Sequence, residues 1–378
     1  MKRNNPYIFV AVMLIFILLF SVMTIYAFGE KKNIKTNVSA RSAALYLPET
    51  KTFLYTKNSS VPMPMASTTK IMTALIALEH SELSDMVKID DSAIGTEGSS
   101  AYLRRGDVLA MEELLYALLL QSANDAAVAI ACHIGGDVSG FADLMNEKAL
   151  ALGLSNTHFT NPHGLDDKEH YTTAEDLAII AAAALEKPTF RKIASTYKKS
   201  FVADDRSRTY VNHNKLLVNY EGCIGVKTGY TRRSGRCLVS AAERDGLRYV
   251  AVTLDAPNDW NDHRVMLDLG YDKLKKIQFA NNFDHLYKIP IIDGKTEYLY
   301  AANTDDASII VENGDYRVNE YVKLVRYAVA PIEKGEILGE IIYTLDGKES
   351  ARVQIVATES VEKQEKQGFF SKILSLIK

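Results

Sequence analysis

Apolar and polar positions along this chain change period several times, and each change marks an element. Ala43–Leu47 and Thr52–Thr56 flank a Pro48-Glu49-Thr50-Lys51 turn, which predicts a hairpin over residues 43–56. Pro62 and Pro64 break the next stretch. Ile71, Met72, Leu75 and Leu78 then fall at helical spacing, so Ser67 opens a helix and shares one face with Lys70, three residues on. Met111–Leu120 and Asp125–Ile134 read as two more helices, with Ser122-Ala123-Asn124 as the break between them. Residues 153–173 lack periodicity and read as a loop. Thr173 and Asp176 then fit a capping pattern that starts an Ala-rich helix to Leu185. Ile224–Tyr230 is a strand candidate, and Cys237–Ala242 with Leu247–Leu254 predicts a hairpin around Arg244-Asp245-Gly246. After a helix near residues 262–276, short alternating strands run from about 288 to 358, with turns such as Asn313-Gly314 and Asp346-Gly347.

Both ends depart from this globular pattern. Lys2 and Arg3 precede an apolar run from Tyr7 to Phe28. Small residues at Ala27 and Gly29 suit a cleaved signal peptide, yet the run is long enough for a retained membrane anchor, and residues 1–29 carry either reading. Both imply export, and the basic flank points the same way. At the other end, a helix over 369–378 would gather Phe369, Phe370, Ile373, Leu374, Leu376 and Ile377 on one side. Ser371, Lys372, Ser375 and Lys378 fall on the other. A charged stretch from Glu362 to Gln367 precedes it. Such a helix suits a membrane surface or a terminal helix docked on the body, and at about 15 Å long its own membrane affinity is modest.

The 378 residues exceed one typical domain, and 47% hydrophobic with 24% charged residues is ordinary for a globular protein. Beyond residue 29 the chain carries 42 basic and 47 acidic side chains, a net charge of −5, which does not suggest nucleic-acid binding. Cys132, Cys223 and Cys237 are too few and too odd for a disulfide framework. Cys132 reads as a small buried hydrophobe, and a bridge between Cys223 and Cys237 stays open. No Cys/His spacing suggests a metal, and nothing calls for a cofactor.

The chemistry lies in three strings: Ser67-Thr68-Thr69-Lys70, Ser122-Ala123-Asn124 and Lys227-Thr228-Gly229. Each is weak alone. S-x-x-K recurs at Ser195 and Ser375, so the force is in the conjunction, order and spacing. The set S-x-x-K, S-x-N, K-T-G supplies a serine nucleophile without a histidine. Ser67 needs a base, and Lys70 serves if burial or a like charge such as Lys227 lowers its pKa. Ser122 would relay a proton to the leaving amine, and Asn124 would hold Lys70 and meet the substrate amide. Lys227 and Thr228 would hold a terminal carboxylate, while Gly229 lets a peptide approach as an added strand. The N–H groups of Ser67 and Tyr230 would form an oxyanion hole. Plainer readings exist for each: a helix N-cap for Ser67, a solvated Lys70, a capping loop at 122–124, and an ordinary turn at Lys227–Gly229.

With these residues the chain resembles low-molecular-mass penicillin-binding proteins, the serine D-alanyl-D-alanine carboxypeptidases, over nearly its whole length. Asn161-Pro-His-Gly-Leu-Asp166, Lys227-Thr-Gly-Tyr-Thr231 and Pro331-Ile-Glu-Lys-Gly335 also fit that family. The resemblance implies an α+β, β-lactamase/transpeptidase-like catalytic domain over 37–280, with a mainly antiparallel sheet flanked by helices. A small all-β domain over 286–358, a charged linker over 359–367 and an amphipathic helix over 368–378 follow. It implies a stem peptide ending in D-Ala-D-Ala as substrate, β-lactams as inhibitors through an acyl-enzyme on Ser67, and action at the outer face of the cytoplasmic membrane. By its place after Asp259-Trp-Asn-Asp262-His, Arg264 is a second candidate for the substrate carboxylate, and Asp166 would orient the loop beside the site. Tyr230 stands where some members carry histidine. A class A β-lactamase would need a deacylating glutamate; no E-x-x-L-N string exists, and Glu169 is in the wrong context. A wall-binding protein that lost catalysis is the rival from another class. A Ser-His-Asp hydrolase lacks its G-x-S-x-G elbow.

Overall fold

The computed structural model describes residues 37–203 and 206–365. Its central sheet comprises β1 (Ser42–Leu47), β2 (Thr52–Lys57), β7 (Cys223–Thr231), β8 (Gly235–Arg244) and β9 (Leu247–Leu254). The order is β2-β1-β9-β8-β7, antiparallel throughout. Four short strands, β3 (Met86–Lys88), β4 (Val108–Ala110), β5 (Lys198–Ala203) and β6 (Arg206–Val211), form two separate hairpins.

Every residue of β1 is buried. Ala44 and Tyr46 face one apolar core, and Ala43, Leu45 and Leu47 face another. The strand is covered on both sides, which explains a nearly continuous apolar run where a half-exposed strand would alternate. On the first side lie α1 (Lys70–His80), α2 (Met111–Leu119), α3 (Asn124–Gly135), α4 (Val138–Ala151), α5 (Ala174–Leu185) and α6 (Pro188–Ala194). The four-residue α7 (Leu216–Asn219) and α8 (Asp259–Lys273) supply Leu216, Met266 and Leu267 to the second core. Residues Lys70–Ala77 of α1 are all buried, so this helix runs through the interior and carries its first residue, a lysine, with it.

Local signals hold in several places. The β8–β9 turn places Asp245 and Gly246 at φ 49° and 73°, the left-handed pair that a two-residue hairpin favours. Thr173 Oγ1 accepts the Asp176 N–H at 3.0 Å and caps α5. Other expectations change. The residues around Ser67 form a 3-10 turn, Ala66–Thr69, and the α-helix begins only at Lys70. The helix expected near 262–276 ends at Lys273, because β10 (Leu274–Ala280) pairs with β13 (Ala307–Glu312). Ala280 belongs to the C-terminal core, whereas Leu274 packs against the second core of the catalytic sheet, so β10 leads from one to the other.

Those later strands are β11 (Leu286–Ile292), β12 (Tyr298–Asn303), β13, β14 (Val318–Leu324), β15 (Ala328–Val329), β16 (Ile337–Leu345) and β17 (Lys348–Ala357). Six of them form one sheet in the order β14-β16-β17-β12-β11-β15 around Leu299, Ile341, Tyr343 and Ile355. Among the described residues no single helix is long and apolar enough to cross a membrane. The apolar run 7–28 and the helix expected over 368–378 lie outside the described residues.

Candidate active site

Three segments far apart in sequence converge on the start of α1. Ala66, at φ 48°, and the 3-10 turn aim Ser67 outward into a cleft of about 280 Å³, while Lys70 is 0% exposed. The Lys70 Nζ lies 3.0 Å from Ser67 Oγ, 2.6 Å from Asn124 Oδ1 and 2.7 Å from the His163 carbonyl oxygen. Ser67 makes no side-chain cap, and Lys70 is not a solvated lysine. Burial first, and the Lys227 charge second, hold Lys70 well below the ordinary lysine value of 10.5, against an opposing pull from Asp125. A neutral amine has two N–H groups. Were Lys70 neutral, Asn124 Oδ1 and His163 O would take both, and the lone pair would be left for the Ser67 hydroxyl proton.

Each partner is itself held. Asn124 opens α3; its Nδ2 donates to the Glu97 carbonyl, which orients the amide oxygen toward Lys70. Asp125 accepts from Ser100 Oγ, Ala101 N and Leu103 N, so it braces the preceding loop. Ser122, at φ 62°, lines the cleft beside Ser67. Its hydroxyl has no hydrogen bond to Lys70 among the described contacts, so the relay expected of it is not already formed here. Asn161 Oδ1 accepts from Gly164 N at 2.7 Å and shapes the loop that presents the His163 carbonyl. Gly164 has φ +89°, and a Cβ there would lie 1.9 Å from Ala66 O; this loop packs directly on the turn that carries Ser67. His170 accepts from Thr160 N at Nδ1, and its Nε2 donates to Thr69 Oγ1. Burial pushes His163 down to about 3 and His170 to about 4, so both rings are neutral braces rather than bases.

Lys227-Thr228-Gly229 lies inside β7, an edge strand, and is no turn. A Cβ on Gly229 would stand 3.0 Å from Ser67 N and 3.1 Å from Thr68 N, so the strand runs against the turn that carries Ser67. Thr228, Gly229 and Tyr230 line the cleft, with Tyr230 67% exposed. Lys227 differs from expectation. It is only 1% exposed, does not line the cleft, and its Nζ donates to the Thr228 carbonyl at 2.8 Å. Burial lowers it to about 7.

One substrate residue needs correction. Arg264 is exposed on α8 and does not line the cleft, because its neighbours Asp262 and His263 take the buried face. The guanidinium that does line the cleft is Arg236, opposite Tyr230 on β8. Asp259 holds it through both carboxylate oxygens, at 2.8 and 3.0 Å, and Trp260 lies 5.9 Å away. Sequence reading missed it; the register of the hairpin after Lys-Thr-Gly was the available signal. His213 and Ser99 were missed as well. Asp166 does not line the cleft. Its carboxylate accepts from Thr231 Oγ1 at 3.0 Å, tying the loop to the end of β7. Glu169 is exposed and outside the cleft, where no deacylating glutamate could act. Ser195 ends α6, its hydroxyl donating to Lys192 O, so its S-x-x-K is accidental. Cys223 and Cys237 are free thiols, and Cys132 is half-buried. Among the described residues no group of side chains could hold a metal ion.

A serine at the mouth of a cleft, with a buried amine in hydrogen-bond reach and an edge strand alongside, defines a serine acyl-transfer enzyme. Residues 29–258 match the family D-alanyl-D-alanine carboxypeptidase, and residues 275–363 match the C-terminal domain of penicillin-binding protein 5. The chain belongs to the D-alanyl-D-alanine carboxypeptidase family and is a serine-type peptidase. It is 33% identical over 336 residues to the D-alanyl-D-alanine carboxypeptidase DacF of Bacillus subtilis, covering 86% of each chain. Against the crystal structure of penicillin-binding protein 5 from Haemophilus influenzae it has a TM-score of 0.62 at 28% identity, covering 86% of this chain and 98% of that one. A point mutant of the Streptomyces K15 DD-transpeptidase gives 0.60 at 34% identity over 62% of this chain and 98% of that one.

Proposed function

We propose that Ser67 attacks the carbonyl of the last peptide bond of a peptidoglycan stem peptide ending in D-Ala-D-Ala. Neutral Lys70 takes the hydroxyl proton as the C–O bond forms. The N–H groups of Ser67 and Tyr230 stabilise the oxyanion. The C–N bond then breaks, a proton returned through Ser122 goes to the amine, and D-alanine leaves. Water hydrolyses the ester on Ser67 and frees the tetrapeptide. The peptide lies along Thr228–Tyr230 as an added strand. Its terminal carboxylate meets Thr228 Oγ1 and Arg236, while Lys227 acts from behind the strand as a like charge on Lys70. β-Lactams acylate the same serine.

The observation that carries this reading is the buried Lys70 amine, with two fixed acceptors besides the nucleophile. We place the enzyme outside the cytoplasmic membrane, held there by residues 368–378 or by the N-terminal segment. The test is incubation with fluorescent penicillin and, separately, with diacetyl-L-Lys-D-Ala-D-Ala. Adduct on Ser67 and released D-alanine are the expected results, and Ser67→Ala abolishes both. Labelling retained at another residue would sink the assignment; fast penicillin hydrolysis without D-alanine would turn it into a β-lactamase.

A further inference from the structure

Between β6 and α7 the chain reads Asn212-His213-Asn214. The two asparagines are 7% and 1% exposed, whereas His213 is exposed at the wall of the active-site cleft. Asn212 fixes the backbone: its N–H donates to Tyr197 O at 2.8 Å, its Nδ2 to Ala194 O at 3.0 Å and Thr196 O at 3.2 Å. Its Oδ1 accepts Asn214 N at 2.9 Å, and Asn214 Oδ1 accepts Leu216 N at 3.0 Å. Bonds of this kind hold a loop in one conformation. Yet the ring they present has no hydrogen bond of its own among the described contacts.

The charges around that ring are one-sided. On β7, Lys227 lies close enough to disfavour a second positive charge on His213. Across the cleft, Arg236 is engaged by Asp259, the carboxylate that lines it. Tyr230, Ser99, Ser122 and Thr228 are uncharged, and Lys215 on the same loop is exposed. A cleft wall with a lysine behind it, an imidazole facing inward and no carboxylate to spare lacks an anion.

We propose that His213 is a specificity-determining residue that reads the substrate's terminal carboxylate: the imidazole takes up a proton as that carboxylate binds and joins Thr228 and Arg236 around it. The inference rests on the carboxypeptidase reading and deepens it. In the free enzyme, partial desolvation of the ring against the cleft wall and then the Lys227 charge hold His213 below the ordinary histidine value of 6.5, although the residue as a whole is exposed. An arriving carboxylate opposes the second cause and favours the imidazolium. The sign follows. Between the free and bound pKa values, binding consumes a proton from solvent, so KM rises with pH, by at most about tenfold per pH unit for one proton. Below the free value the ring is already charged, and KM is flat.

The test uses the full chain. KM and kcat for diacetyl-L-Lys-D-Ala-D-Ala are measured from pH 5 to 8 for wild type, His213→Gln and His213→Lys. Wild type should lose affinity as pH rises. His213→Gln should have a high KM and keep only the shallower rise that Lys227, lowered to about 7, supplies, and His213→Lys a low KM with that same residue of the rise, because its cation persists across the range. kcat should change far less than KM in both. Calorimetry of peptide binding to Ser67→Ala, in two buffers of different ionisation enthalpy, should show proton uptake that His213→Gln removes. A pH-independent wild-type KM, or the same rise in His213→Gln, overturns the proposal. Failure of wild-type Ser67 to label with penicillin would instead overturn the carboxypeptidase reading beneath it.

Discussion

Lys70→Met tests the central claim that the base is neutral in the folded protein. Methionine fills similar space and cannot be charged. In the unfolded chain Lys70 titrates near its ordinary value of 10.5; in the native state burial and Lys227 hold it well below. Between those values the unfolded state binds one more proton than the native state, so this group makes the wild type more stable as pH rises. Its slope is about 1.36 kcal/mol per pH unit. Over pH 8 to 9.5, wild type should therefore gain on Lys70→Met by up to roughly 2 kcal/mol, the full amount being reached where the native value lies below that window. Other titrations occur in both proteins and largely cancel in the difference. Against this slope stands a nearly pH-independent cost in the variant. The carbonyl oxygens of Asn124 and His163 lose their donor, at about 1–3 kcal/mol each. Urea midpoints at the two pH values report the difference. Penicillin acylation should fall at least about 10²-fold, a typical loss for a general base. A stability difference that does not change with pH would mean that native Lys70 is charged, and the mechanism above would be wrong.

Arg236→Gln should raise KM for the D-Ala-D-Ala peptide about 10- to 150-fold, the value of a charge-assisted hydrogen bond, whereas Arg264→Gln should stay near wild type; equal effects would restore Arg264 as the anchor. Gly164→Ala must displace the loop at 161–166, since its Cβ would overlap Ala66 O. Penicillin labelling should slow at least about tenfold as Lys70 loses the His163 carbonyl, and an unchanged rate would refute that contact. Deleting residues 368–378 should release protein from isolated membranes with turnover unchanged; complete retention would assign anchoring to the N-terminal segment.

The three strings themselves, the β8–β9 hairpin and the late run of strands were legible in the sequence. They depend on residues within a few positions of one another, where turn chemistry and periodicity operate. Nothing local, in contrast, distinguishes the S-x-x-K at Ser67 from the one at Ser195. That difference is tertiary: Asn124 Oδ1 and the His163 carbonyl, 54 and 93 residues away, hold the Lys70 amine in place, and burial lowers its pKa. The same holds for the cleft: pairing of β7 with β8 sets Arg236 opposite Tyr230, while α8 carries Arg264 to solvent. Burial of β1 on both faces, free thiols at Cys223 and Cys237, and a His213 ring at the cleft wall with no hydrogen bond among the described residues are likewise tertiary outcomes. Burial and the field of distant charges are properties of the packed chain. Sequence spacing carries which residues are available, and packing decides which of them lose water and which face the substrate.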